Sequence, residues 1–191
     1  MNAPPDATPA EAQAAAPSAG SALAKAAAML GSEGFPRGDL AAIRRLDPDH
    51  PSAPAFWRLL VRAVPEERRR GEQNERRWAL ILHGMALMAP HHHEATPVGR
   101  ALFLAGYSEA RLGRLLDARG AQFRALVPRL CRQLAHKAQP FDWRELGRLI
   151  LSEGLDEDRA ETIRLGIARA YYSAEGAAEQ ARSSTTAAAS A

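Results

Sequence analysis

Apolar residues in this chain recur at helical spacing from one end to the other, and no run of β-branched residues alternates with the period of two that a half-buried strand needs. The clearest stretch is 121–137, where Phe123, Leu126, Val127, Leu130, Cys131 and Leu134 follow the i, i+3, i+4, i+7 pattern of one buried helix face. In 78–89, Trp78, Ile81, Leu82, Met85 and Met88 share one face while Leu80 and Leu87 lie opposite. A helix apolar on both sides must be surrounded, so this segment is expected at the centre of the fold.

Proline and glycine divide the remaining sequence into helices. A weak helix over 21–30 stops at Gly31, and Gly34, Pro36 and Gly38 form the turn after it. Asp39 is placed to cap a short helix reaching Leu46, because a carboxylate there accepts first-turn amide hydrogens. Pro54 opens a helix through Ala63 that Pro65 closes. Thr96 and Pro97 start the segment 98–105, which ends at Gly106, and Ser108 caps a helix reaching Ala118. Pro128 lacks an amide hydrogen and is expected to kink or restart the helix around it. Asp142 and Glu145 form a D-x-x-E capping pair, and Asp156, Glu157 and Asp158 suit the start of a last helix running to Tyr171 and Tyr172. The expected fold is all-α, a compact bundle of seven or eight helices with no sheet.

The 191 residues leave room for one such domain over 21–173, built as a single bundle or as two helical sub-bundles. Residues 1–20 and 174–191 hold mostly small and polar residues and read as disordered tails. Cys131 is the single cysteine, so a disulfide frame and a cysteine-based zinc site are excluded, and its place on an apolar face marks it as a core residue. The stretch 23–30 is too short, and too interrupted by Lys25, for a signal peptide. No apolar run is long enough to span a bilayer. A cytoplasmic protein without membrane contact is expected.

Charge is distributed unevenly. Arginine outnumbers lysine 23 to 2, which is partly a compositional bias. Residues 98–148 nevertheless carry ten basic against four acidic residues, twice the net excess of the whole chain. At about 100° per residue, Arg129, Arg132 and His136 fall within about 60° of one another, opposite the apolar stripe. Arg111 and Arg114 likewise stand off the Leu112, Leu115 and Leu116 face. Like charges stacked on one helix face destabilise it unless something compensates. Phosphate suits that role, because the planar guanidinium fork pairs bidentately with its oxygens.

No Ser/His/Asp arrangement, phosphate-binding glycine loop or zinc-protease motif occurs, and neither an enzyme, a metal nor a cofactor is expected. Three consecutive histidines, His91 to His93, cannot converge on one ion and read as a polar loop. The mixed-charge stretch 66–77 reads as a solvated segment. Residues 108–137 could form a helix–turn–helix regulator, but the exposed face offers Arg and His and almost no Asn or Gln to read adenine. A helical scaffold that meets acidic protein surfaces is the other alternative.

The order of these pieces resembles the CasB family, the small subunit of the type I-E CRISPR Cascade complex. The resemblance is carried by Ala42-Ile43-Arg44-Arg45, Pro54-Ala55-Phe56-Trp57-Arg58-Leu59, Gly99-Arg100-Ala101-Leu102, Glu109-Ala110-Arg111-Leu112, Arg132 with His136, and Asp142-Trp143, within residues 22–172. It implies a non-catalytic subunit that steadies the crRNA–target hybrid and the displaced single strand of DNA. Its implied partners are the other Cascade subunits and a second copy of itself. R-loop formation is a near-balanced exchange that backbone contacts can tip. The resemblance places nucleic-acid contacts at Arg44, Arg45, Arg100, Arg111 and Arg132. Surface reasoning alone adds Arg114, Arg119, Arg129 and Lys137.

Overall fold

The structure is a computed structural model that describes residues 18–92 and 95–189, with side chains to residue 185. Residues 1–17, and with them most of the expected N-terminal tail, lie outside the described residues, as do His93 and Glu94 of the histidine loop. The described residues form ten helices and no strand. These are α1 (Ala19–Gly31), α2 (Arg37–Arg44), α3 (Pro54–Ala63), α4 (Glu66–Arg69), α5 (Glu72–Met88), α6 (Val98–Leu104), α7 (Glu109–Asp117), α8 (Gly120–His136), α9 (Trp143–Ser152) and α10 (Glu157–Ala189). The count exceeds the expected seven or eight, while the all-α class stands.

The two-sided apolar pattern of 78–89 puts α5 at the centre. Trp78 to Ala86 and then Met88 are buried without a break except at Leu87, and α1, α2, α3, α4, α8 and α9 all pack on this helix. The mixed-charge stretch 66–77, expected as a solvated segment, supplies α4 and the first turns of α5. Pairs one turn apart make those charges helix-compatible: Arg70–Glu66 at 2.7 Å and Arg76–Glu72 at 2.5 Å. The Trp78 indole N–H donates to the Arg68 carbonyl at 3.0 Å and ties α4 to α5.

α5 and α8 run parallel. The Arg124 charge acts on Arg77 at one end, and farther along the pair a Cβ on Gly84 would lie 3.1 Å from Cys131 Sγ. Pro128 sits inside a continuous α8 and neither breaks nor restarts it, so the buried stripe and the exposed face keep one register. One missing amide removes a single bond, and the apolar contacts of Phe123, Val127, Leu130, Cys131 and Leu134 hold the helix on both sides. Burial pushes the Cys131 thiol far up, as befits a core residue.

Two expected caps are replaced. α2 begins at Arg37, so Asp39 lies inside its first turn and accepts an ion pair from Arg58 Nη2 at 2.7 Å. Asp142 does cap α9, accepting the Arg144 N–H at 2.8 Å. Glu145 does not reach back to it; its Oε2 accepts the Val98 N–H at 2.6 Å and closes the start of α6 instead. Burial raises the Glu145 pKa against the lowering pull of that amide.

α6 and α10 make the closest helix contact. A Cβ on Gly99 would stand 1.9 Å from the Ile167 carbonyl oxygen, a distance that no side chain can tolerate. Phe103 meets Tyr171 edge-on with ring centroids 5.6 Å apart, and the Tyr171 hydroxyl donates to the Tyr107 carbonyl at 2.6 Å. Tyr171 is the last buried residue among the described side chains of α10, which continues through Ala189 across the stretch that composition marks as a tail.

Candidate nucleic-acid interface

Once α8 is fixed on α5 by its apolar stripe, its opposite face must meet solvent. Arg129, Arg132 and His136 are exposed there, and Lys137 caps the helix end. Among the described residues, Arg129, Arg132 and Lys137 have no ion-pair partner. Arg111 and Arg114 stand exposed on α7, off the buried Leu112 and Leu115. Arg114 Nε donates to the Ala110 carbonyl of its own helix at 3.2 Å. Arg111 Nη1 donates to Gln133 Oε1 at 3.4 Å, which joins the α7 arginines to the exposed side of α8.

The α2 end reaches the same region through a buried histidine. His83, on α5, has its Nδ1 3.0 Å from the Ile43 carbonyl and is 4% exposed. Burial is the main cause that lowers its pKa; the nearby Arg132 charge lowers it further, while the Ile43 carbonyl and Asp47 act in the opposite direction. Arg132 therefore lies within electrostatic reach of the C-terminal end of α2, where Arg44 and Arg45 stand.

Those two neighbours differ. Arg44 Nε donates to the Ala86 carbonyl at 2.8 Å and Nη2 to the Ala89 carbonyl at 3.2 Å, so its guanidinium closes the C-terminal end of α5. Arg45 is exposed and has no partner among the described residues. Arg119 resembles Arg44: its Nη1 donates to the Leu116 and Ala118 carbonyls at 2.6 and 3.0 Å, and its Nη2 pairs with Glu161 at 2.9 Å. Arg100 is exposed on α6, and no bond ties it to the α7–α8 set.

The geometry brings Arg111 beside the α8 face that carries Arg129 and Arg132, with Arg114 on α7 and Lys137 at the α8 end, while Arg45 stands exposed at the end of α2. Arg44 and Arg119 are tied to backbone carbonyls. Sequence reasoning passed over His83, whose polar ring is hidden in an otherwise apolar helix. It also passed over Arg164, which is 2% exposed, is paired with Glu153 and stands 3.7 and 3.8 Å from Glu157 and Glu161. The Arg164 guanidinium lies over the Phe123 ring, 5.8 Å from its centroid. The carboxylates at i−7 and i−3 were a readable signal for it.

Among the described residues no cluster of His, Cys, Asp and Glu could hold a metal ion. Among the described residues no helix is long and apolar enough to cross a membrane.

The family model for CRISPR-associated protein Cse2 matches residues 39–172, from the first turn of α2 to the residue after Tyr171. The chain belongs to the Cse2 family. Cse2 is the CasB family of the sequence resemblance, and membership makes this chain a subunit of the type I-E CRISPR Cascade. α1 and the far half of α10 lie outside the matched Cse2 region. No curated protein and no solved structure matches the chain.

Proposed function

We propose that this Cse2 chain is a non-catalytic subunit that holds nucleic-acid backbone in the R-loop, steadying the crRNA–target hybrid and the displaced single strand. The carrying observation is the Arg111–Gln133 contact, which brings the α7 arginines beside the unpaired Arg129 and Arg132 of α8. Guanidinium groups with no carboxylate nearby are available to phosphate oxygens. The interface reads backbone and not sequence, since its side chains are nearly all cationic. Its partners are single-stranded DNA, the hybrid, the other Cascade subunits and a second copy of the chain, in the cytoplasm. In this reading Arg45, Arg111, Arg129, Arg132 and Lys137 touch phosphate, Arg100 and Arg114 lie beside the path, and Arg44 and Arg119 hold the surface in shape.

Titration of the full chain with a labelled single strand over a salt series tests this. With about five phosphate contacts the log–log slope is expected near −3.5. Charge reversal at Arg111 together with Arg132 should flatten the slope and weaken R-loop retention by Cascade for every target sequence. A loss restricted to particular sequences, or an unchanged slope, counts against the reading.

A protein-facing role has its own observation. Trp57 and Val61, one turn apart on α3, are 37% and 56% exposed. They suit contact with another Cascade subunit.

A further inference from the structure

A cleft of about 280 Å³ opens beside the first turns of α5 and α8, bounded on its third side by the corner between α9 and α10. Its floor is apolar: Leu80, Phe123 and Ile150, all buried. Its wall holds Arg76 and Arg77 from α5 and Arg124 from α8, together with Gln73 and the carboxylates of Asp49 and Glu153. None of these arginines belongs to the interface described above.

Arg76 is paired with Glu72, and the charges of Arg77 and Arg124 are less closely balanced. Arg77 is half-buried, and its Nη2 donates to the Glu153 backbone carbonyl at 3.1 Å, an oxygen without a full negative charge. Burial and the neighbouring Arg124 both disfavour its protonated state, and the Glu153 charge acts in the opposite direction. The carboxylates nearby are engaged elsewhere. Glu153 pairs with Arg164 and accepts the Gly120 N–H at 2.8 Å, while Glu72 pairs with Arg76. Arg124 has a loose pair with Asp49 at 3.5 Å, and both side chains are about half-exposed. Two guanidinium groups in a half-buried wall repel each other, and an anion between them would turn that repulsion into two charge-assisted bonds.

We propose that this cleft holds one phosphate group of a nucleic-acid strand, shared by Arg77 and Arg124, with the attached sugar over the apolar floor. The proposal rests on reading the exposed α8 face as a phosphate path and extends that path by one site. Arg124 lies eight residues before Arg132, about 12 Å along the helix axis. The incoming phosphate displaces Asp49 from Arg124.

The test is binding of a fluorescent oligothymidylate to the full chain over a salt series, with thermal melting as a check that each variant folds. Arg124→Gln is expected to weaken binding about threefold and to flatten the slope by about 0.7, the signature of one lost phosphate contact. Arg124→Lys should keep the slope. Asp49→Asn removes the competing carboxylate and should tighten binding, which a merely structural Arg124–Asp49 pair would not do. An unchanged slope for Arg124→Gln beside a flattened one for Arg132→Gln overturns the cleft site and leaves the α8 path standing. No change in either variant overturns both. Replacing chloride by inorganic phosphate at constant ionic strength separates the two phosphate sources. A persisting difference between wild type and Arg124→Gln supports the strand, and loss of that difference assigns the cleft to free phosphate and overturns the proposal.

Discussion

Arg44 donates through Nε to the Ala86 carbonyl at 2.8 Å, so a side chain of α2 caps the helix at the centre of the fold. Arg45, the next residue, faces solvent. Alanine at these two positions should therefore give opposite results. Arg44→Ala is expected to lower stability by about 1 kcal/mol, for the loss of charged bonds to the terminal carbonyls of α5, with little direct effect on the salt slope of binding. Arg45→Ala should leave the melting temperature unchanged and flatten the slope. Denaturant unfolding and strand titration of both variants decide the matter.

Gly99→Ala tests the approach of α6 to α10. Alanine is the better helix former by about 1 kcal/mol, yet its Cβ would meet backbone, which cannot rotate away. A net loss of about 1–3 kcal/mol is expected from forced separation of the two helices. A melting temperature equal to or above that of the wild type would refute the contact.

His83 gives the stability a pH dependence of definite sign. Its folded pKa lies below the ordinary 6.5, so below that pH the unfolded chain binds the proton more readily than the folded one. The stability contributed by neutral His83 is complete above about pH 6.5 and is lost as the pH falls toward the depressed folded value. His83→Gln should remove this slope from denaturant midpoints measured between pH 5 and 7.5. Arg132→Gln should raise the His83 pKa, visible in a proton-resonance titration, because one of the charges opposing the imidazolium is gone.

Arg164 is a costly side chain to remove. Deleting a buried guanidinium leaves Glu153 half-buried and unbalanced, a change of about 3–5 kcal/mol. Arg164→Leu should therefore melt far earlier than the wild type. The double variant with Glu153→Gln should recover a large part of the loss, since glutamine still accepts the Gly120 N–H. Equal melting of the single and double variants would show that the two side chains are not coupled.

The fold was legible where local chemistry decides it. Pro54 and Pro65 bracket α3 at the boundaries the structure has, and the two-sided apolar pattern located α5 at the centre. Pro128 was legible as a missing amide but not as a residue that leaves α8 continuous, because the buried stripe on both sides outweighs one lost hydrogen bond. Glu145 misled for another reason: the amide it accepts belongs to Val98, 47 residues earlier, and no local pattern announces such a partner. The interface was half legible. Helical phase found the outward arginines of α7 and α8, but it could not separate Arg44 from Arg45, nor show that Arg119 turns back onto the end of α7. Arg77 and Arg124 carried no sequence signal, since each is unremarkable until α5 and α8 lie side by side.

The parallel course of α5 and α8 gives the molecule a polarity. Aligned helices add their dipoles, so two partial positive ends meet near Arg77 and Arg124 and two partial negative ends meet near Arg44 and Lys137. At the second end, Arg44, His136 and Lys137 offset the carbonyl poles and have less attraction left for an incoming anion. At the first end the helix poles have the same sign as Arg77 and Arg124, and carboxylates meet them: Glu72 and Glu75 in the first turn of α5, and Glu153 on the Gly120 N–H of α8. Arginines that are equal in a count are therefore unequal in surroundings. A strand laid along α8 passes from one pair of like helix poles to the opposite pair, so its two ends are not interchangeable.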